Sequence, residues 1–271
     1  MMARVVGLVA YHVFKESVRD KVLYNLVLFA VLLIGGSYLV GQLTAGQDIK
    51  IIKDLGLAAS SLFGLFIAVF IGVGLVWKEV DRRSVYNLLV KPVRRHEFIL
   101  GKFLGLALTL LVNIAVMAAA LYAVLALMSW LRPEIGRAGG VEAPVLDPRL
   151  LKAFGLLYAQ LLVVTSVALF FSTFAGPLMS AAFTFGLYVV GHFNEDLAHF
   201  EDVVQSPAAG WLGKALYYLL PNLAPFDVKL AAVHGREVPN LYCALTAGYG
   251  LLYIAAMLAL AVVIFQRRDF K

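Results

Sequence analysis

Six long runs of apolar residues alternate with charged stretches along this chain. The runs lie at about 22–42, 56–77, 103–128, 154–175, 177–193 and 241–265. A helix needs about 20 apolar residues to cross a hydrocarbon core of roughly 30 Å, and the runs are close to that length. Gly176 and Pro177, at the junction of the fourth and fifth runs, suit a tight turn between two helices. The pattern predicts an all-α membrane protein with six transmembrane helices.

Two further elements are predicted outside these runs. Before the first run, apolar residues recur at helical spacing and form one stripe of an amphipathic helix that would lie in the membrane interface: Val6, Val9, Ala10, Val13 and Phe14. Between the fifth and sixth runs, residues 208–226 combine aromatic residues with Pro221 and Pro225. This composition is typical of headgroup depth and predicts short helices in the outer leaflet.

Composition and charge support this prediction and orient the chain. Charged residues are 15% of the chain, against about 25% in soluble domains, and none lies inside the six runs, so we expect them all in loops and tails. The amino-terminal tail, the loop 78–102 and the carboxyl terminus hold 14 Lys and Arg against 6 Asp and Glu, whereas the other loops hold 9 against 11. The positive-inside rule therefore predicts that both termini are cytoplasmic. We interpret residues 1–271 as a single transmembrane domain.

The sequence lacks the motifs of an enzyme or of a nucleotide-binding protein. Gly101-Lys102 precedes a Phe and Gly213-Lys214 precedes an Ala, so neither completes a phosphate-binding loop, and the HExxH and GxSxG motifs are also missing. The six runs contain no Asp, Glu, Lys or Arg, which disfavours a transporter driven by an ion gradient. Any energy source is expected on another chain.

The loop 78–102 combines cations with an apolar patch. It carries seven Lys and Arg, and Val85, Leu88 and Leu89 recur at helical spacing before Pro92 ends the short predicted helix. One hypothesis is that the patch rests against lipid while the arginines meet anionic headgroups. The other is that this short helix binds in a groove of a soluble partner.

Residues within and next to the runs suggest further sites. Gly64 and Gly72-x-Gly74 predict close helix packing. Asn113 and Gln160 are expected to form hydrogen bonds between helices, with a substrate contact as the alternative. Aromatic residues would suit a path for a lipid-like or amphipathic substrate, or would simply face lipid: Phe63, Phe66, Phe70, Phe183 and Phe185.

A histidine-rich stretch follows the fifth run. His192, Glu195 or Asp196, and His199 would share one face of a helix and are ligand types for zinc or copper. We favour the alternative that they form the polar face of an amphipathic helix, because the opposite face would be apolar, with Phe193, Leu197, Phe200 and Val204.

The order of short motifs along the chain resembles that of ABC-2 type transporter permeases. Their pattern E…LL…PV-x-R-x-x-F-x-x-G-K is similar to Glu79, Leu88-Leu89, Pro92-Val93, Arg95, Phe98 and Gly101-Lys102. The amphipathic first helix, the LPNLAPF segment and the ending FQRRDFK are also similar, so the resemblance covers nearly the whole chain. One departure is Asp81-Arg82-Arg83-Ser84, where many members have an acidic residue followed by Gly-Thr.

This resemblance implies that the loop 78–102 is a coupling helix docked on a separate ABC ATPase subunit, which would bind ATP and Mg. This chain would bind no cofactor. Two permease copies and two ATPase subunits would form an exporter in a prokaryotic inner membrane. The residues implied in docking are Glu79, Arg82, Arg83, Val85, Leu88, Leu89, Pro92, Arg94 and Arg95.

Two other classes remain open from the sequence alone. The chain could be a membrane scaffold or assembly factor that recruits a cytoplasmic partner through the same loop, without transport. It could also be a membrane-embedded enzyme, although its runs contain no pair of nucleophile and base.

Overall fold

The computed structural model describes residues 2–43, 48–81, 94–131, 144–193, 214, 217 and 220–267. All regular elements in this part of the chain are helical. They are α1 (Met2–Val18), α2 (Lys21–Gln42), α3 (Asp48–Asp81), α4 (Arg95–Leu131), α5 (Arg149–Ser172), α6 (Pro177–His192), a single 3-10 turn (Ala224–Phe226), α7 (Lys229–Val233) and α8 (Asn240–Arg267).

Five of these helices are long and apolar enough to cross a bilayer: α2, α3, α4, α5 and α8. They contain the predicted runs 22–42, 56–77, 103–128 and 241–265, and most of 154–175. The predicted fifth run corresponds to α6, which has 16 residues and a length of about 24 Å, less than the hydrocarbon thickness. The chain is a multi-pass membrane protein with five candidate spans, and a sixth crossing stays a prediction.

The turn between α5 and α6 is built as the sequence predicts. The helix α5 ends at Ser172, and Gly176 has an extended backbone at the N-cap of α6. Pro177 occupies the first position of α6, where its missing N–H leaves no helical hydrogen bond unmade. The two helices then pack against each other.

Helices α3 and α5 form the centre of the bundle. Within their apolar segments 72% and 67% of residues are buried, against 22% in α2 and 28% in α8. A Cβ added to Gly64 would lie 2.6 Å from the Leu161 side chain, and one added to Gly72 would lie 3.2 Å from the Ala168 Cβ. These two glycines therefore allow the close packing that the sequence predicts, whereas a Cβ at Gly74 would meet nothing within 4 Å.

The LPNLAPF segment is inserted into the bundle rather than laid on its surface. Leu223 and Phe226 are fully buried. The Leu223 N–H donates to the Gly191 carbonyl at 2.9 Å, and the Asn222 N–H donates to the Tyr249 hydroxyl at 2.9 Å. This end of the predicted outer segment thus consists of one 3-10 turn and the short helix α7, while residues 194–213 lie outside the described residues.

The expectation that every charge lies in a loop or tail is wrong. Helix α3 begins eight residues before the predicted run and carries Lys53, whose side chain is 1% exposed. The Lys53 Nζ donates to the Pro144 carbonyl at 3.0 Å and lies 3.9 Å from Asp147 Oδ2. Helix α4 likewise buries Glu97 and Lys102. Lys53 and Glu97 are tolerated because each has a polar or charged neighbour, and the Lys102 Nζ lies over the Phe98 ring.

Candidate functional site

The predicted docking loop lies between the end of α3 and the start of α4. Glu79 is in the last turn of α3, and Arg94 and Arg95 open α4. The other predicted docking residues lie outside the described residues: Arg82, Arg83, Val85, Leu88, Leu89 and Pro92. The described residues therefore show how the two ends of the loop are attached to the helix bundle.

The start of α4 is fixed by its own side chains. The Arg94 N–H donates to Glu97 Oε2 at 3.0 Å. Arg94 is the N-cap and Glu97 the third residue of the helix, so this bond is half of a capping box. Glu97 is 6% exposed, and its negative charge lies at the positive end of the helix dipole. The point at which the loop becomes helix is thus well defined.

Arg95 and Phe98 join α4 to the end of α8. The Arg95 guanidinium donates to the carbonyls of Phe265 at 3.0 Å and Gln266 at 2.8 Å. These carbonyls belong to the last turn of α8, where no intrahelical donor is available. The rings of Phe98 and Phe265 stack with centroids 6.0 Å apart, and Lys102 Nζ lies 4.7 Å from the Phe98 ring centre.

Gly101 and Gly105 join α4 to α1. A Cβ on Gly101 would lie 2.6 Å from the Val9 Cβ, and one on Gly105 would lie 2.6 Å from the Val13 Cβ. The spacing of four residues places both glycines on one face, which is the arrangement that lets membrane helices approach closely. The predicted apolar stripe of α1 therefore packs on α4, with Ala10 and Val13 buried.

Together these contacts form a junction of three helices, which we call the α1–α4–α8 junction and define by Arg95, Phe98, Gly101, Lys102 and Gly105. Four of the five belong to the motif noted in the sequence. Sequence reasoning missed Gly105, although the spacing Gly101-x-x-x-Gly105 was a usable signal. It also missed Phe265, which no local pattern marks as the partner of Phe98.

Four of the predicted aromatic path residues form one cluster on α3 and α6. Phe66 contacts Phe63 and Phe70, and Phe185 contacts Phe66 at 5.8 Å and Phe70 at 6.2 Å. Phe70 is 48% exposed, so the cluster reaches the surface of the chain. Phe183 is not part of it: its ring lies 5.4 Å from that of Phe171.

The predicted polar path residues have partners within the chain. Asn113 donates to the Thr109 carbonyl one turn earlier, at 2.8 Å. Gln160 Nε2 lies 2.8 Å from His192 Nε2, and His192 Nδ1 lies 2.8 Å from the Tyr188 carbonyl. A carbonyl only accepts, so Nδ1 carries the proton and Nε2 accepts from the Gln160 amide. Gln160 thus forms the expected bond between helices, whereas Asn113 bonds within its own helix.

The structure adds no support to the hypothesis of a metal site at His192, Glu195 and His199. Both ring nitrogens of His192 are engaged, while Glu195 and His199 lie outside the described residues. Among the residues that are described, no group of three His, Cys, Asp or Glu is placed to hold a metal ion.

Comparison with known protein families identifies the family to which this chain is related. A family model described as "ABC-2 family transporter protein" matches residues 8–270. No match is found among individual curated proteins. Permeases of this family work in the membrane with an ABC ATPase and are not themselves catalytic. Because the match covers nearly the whole chain, this protein belongs to the ABC-2 transporter family as a multi-pass membrane permease subunit.

Proposed function

We propose that this chain is the permease of an ATP-driven exporter and that the loop 78–102 binds a separate ABC ATPase subunit. The observation that carries the proposal is the α1–α4–α8 junction. It attaches the carboxyl end of the loop to three helices at once through Arg95, Phe98 and Gly101. A displacement of the loop by a bound partner would therefore move α1, α4 and α8 together.

The physical role of the junction is to transmit force. Two side-chain hydrogen bonds, a ring stack and two glycine contacts join α4 to α1 and α8. Packed helix interfaces shift between discrete arrangements rather than deforming continuously. Nucleotide-driven closure of an ATPase pair would then tilt α4 as a rigid rod. The ATP and Mg would be bound by the partner, because this sequence lacks a phosphate-binding loop.

The aromatic cluster supports a route for an apolar or amphipathic substrate. Phe63, Phe66, Phe70 and Phe185 form a continuous ring surface that is partly exposed on one chain. A second permease copy placed against α3 and α6 would turn this surface into one wall of a path between the two subunits. Asn113 and Gln160, each already hydrogen-bonded within the chain, would play no more than a supporting role there.

The excess of Lys and Arg near the termini and in the loop 78–102 favours a cytoplasmic position for all three. The partner would then meet the loop in the cytoplasm of a prokaryotic cell. Nothing in the sequence suits the capture of an external binding protein, and export is the direction we propose.

The experiment that tests this proposal is the replacement Leu88→Arg with Leu89→Arg. Two charges placed in a buried anchor cost several kcal/mol of binding free energy, so the ATPase should no longer copurify while the permease stays inserted. The tagged chain is purified from its native host in mild detergent, and the partners are identified and counted by mass spectrometry.

The matched control is Tyr86→Arg with Asn87→Arg. It adds the same two charges to the same loop but on the side of the predicted helix away from Val85, Leu88 and Leu89, and it should retain the ATPase. Recovery of the ATPase at wild-type stoichiometry with the leucine variant would refute docking through this loop. Absence of any ATPase from the wild-type preparation would refute the proposed coupling to a separate ABC ATPase.

A further inference from the structure

An open groove of about 430 Å³ lies where α1, α4 and α5 meet. Its walls come from Gly7, Tyr11 and Phe14 of α1, from Leu104 and Leu108 of α4, and from Tyr158 of α5. Its volume is in the range of pockets that hold an organic ligand. Apart from Ala10, which packs on α4, none of the residues that line it is used in the proposed coupling.

Gly7 gives one wall of the groove no side chain. A Cβ at Gly7 would meet nothing within 4 Å, in contrast to the glycine contacts between α1 and α4. The Tyr158 hydroxyl donates to the Ala107 carbonyl at 3.1 Å, so it does not offer its proton to the groove. The walls are therefore suited to an apolar occupant and not to ordered water.

The position of the groove along α4 places it at the edge of the hydrocarbon. Leu104 and Leu108 are in the first two turns of the apolar run that begins at Phe103, and both are nearly half exposed. An interfacial helix such as α1 enters the headgroup and acyl boundary by about 5–10 Å. An open apolar groove at this depth faces lipid tails directly.

Along the sequence of α1, one cation precedes and one follows the residues that line the groove. Arg4 precedes Gly7 by about one helical turn, Lys15 follows Tyr11 by about one turn, and both side chains are exposed. Each basic residue at a membrane surface favours an anionic headgroup over a neutral one. We propose that the groove binds one acyl chain of an anionic phospholipid whose phosphate lies between Arg4 and Lys15.

Such a lipid would act as part of the structure. It fills the groove between α1 and the spanning helices, and so it adds apolar contact to the two glycine contacts that hold α1 on α4. The amino-terminal helix would then be most firmly docked in a membrane that contains anionic lipid.

The test measures lipid retained by the full chain. The protein is reconstituted in nanodiscs with equal amounts of phosphatidylglycerol and phosphatidylcholine, extracted in mild detergent and washed, and bound lipid is quantified by mass spectrometry. Wild type should retain about one phosphatidylglycerol per chain, enriched about tenfold over phosphatidylcholine. Gly7→Phe should remove most of this lipid, because Gly7 lines the groove and a ring at this position would occupy part of it.

Gly35→Phe is the matched control, since Gly35 is also an exposed helical glycine whose Cβ would meet nothing within 4 Å; it should retain the lipid. Arg4→Gln with Lys15→Gln should keep a bound lipid but lose the enrichment. If Gly7→Phe retains as much lipid as wild type, the groove is not the site. If wild type retains the two lipids in the ratio in which they were supplied, the groove has no preference for anionic lipid. A change in oligomeric state caused by Gly7→Phe alone would assign the groove to a second copy instead.

Discussion

Lys53 and Asp147 are the residues whose placement is hardest to reconcile with a membrane bundle. Each side chain is 1% exposed, and their charged atoms are 3.9 Å apart. Asp147 also accepts from the Arg149 N–H at 2.9 Å through Oδ1, and its carbonyl accepts from the Tyr122 hydroxyl at 2.7 Å. The pair thus connects α3, α4 and the start of α5. Removing one partner of a buried pair costs more than removing both, because the remaining charge is left in a medium that solvates it poorly.

We expect Lys53→Met to lower the free energy of unfolding by about 3–5 kcal/mol. The double variant with Asp147→Asn should recover much of this loss, because it removes the orphaned charge and keeps the Oδ1 acceptor for Arg149. Thermal or denaturant unfolding of the detergent-solubilised chain measures all three variants. A double variant that is less stable than Lys53→Met alone would contradict this account, because it would show that the Asp147 carboxylate stabilises the fold even without Lys53.

At the scale of elements, α1 is held by a contact that only glycine permits. Gly101 and Gly105 bring the α4 backbone against Val9 and Val13, and the loss of the side chain on α4 is offset by apolar burial on α1. An amphipathic helix that merely floated in the interface would not need such a surface. Helix α1 is therefore a packed part of the bundle rather than a loose anchor.

Gly101→Val should displace α1 from α4, because even the Cβ would lie 2.6 Å from the Val9 Cβ. Overpacking of this kind costs about 1–3 kcal/mol. Disulfide trapping or spin-label distances between α1 and α4 measure the displacement. Gly155→Val is the matched control, since Gly155 is a helical glycine of α5 with open space around it. Equal α1–α4 distances in wild type and Gly101→Val would contradict this account of the contact.

For the molecule as a whole, the sequence predicts what depends on a single element and fails where two distant elements meet. Run length is sufficient to place the five long helices, and small residues correctly mark the packing of Gly64 on α5. Extending the buried stripe of α3 backwards, through Ile52 to Ile49, would also have placed Lys53 on the buried face.

The partner of Lys53, Asp147, is far away along the chain. Helical periodicity carries no information about the pairing of these two residues. The same limit applies to Arg95 with the carbonyls of α8 and to Phe185 with Phe66. Each of these contacts depends on how helices are arranged in three dimensions, which is decided by the packing of the whole bundle.

The topology of the whole chain depends on whether α6 crosses the membrane. With Cys243 replaced by Ser, the single cysteine variants Ala175→Cys and Gly235→Cys report the two ends of the segment between α5 and α8. We expect a membrane-impermeant thiol reagent to label Ala175→Cys from the cytoplasmic side and Gly235→Cys from the outside. Labelling of both from one side would mean that α6 enters and leaves the membrane on the same face.

The docking of α1 on Gly101 and Gly105 has a consequence for biosynthesis. Helix α1 leaves the ribosome before α4, because the surface that receives it is made almost a hundred residues later. At about 5–20 residues per second, this interval lasts roughly 5–20 s. During that time α1 has the membrane surface and its few contacts with α2, and its final position is reached only after α4 has been inserted.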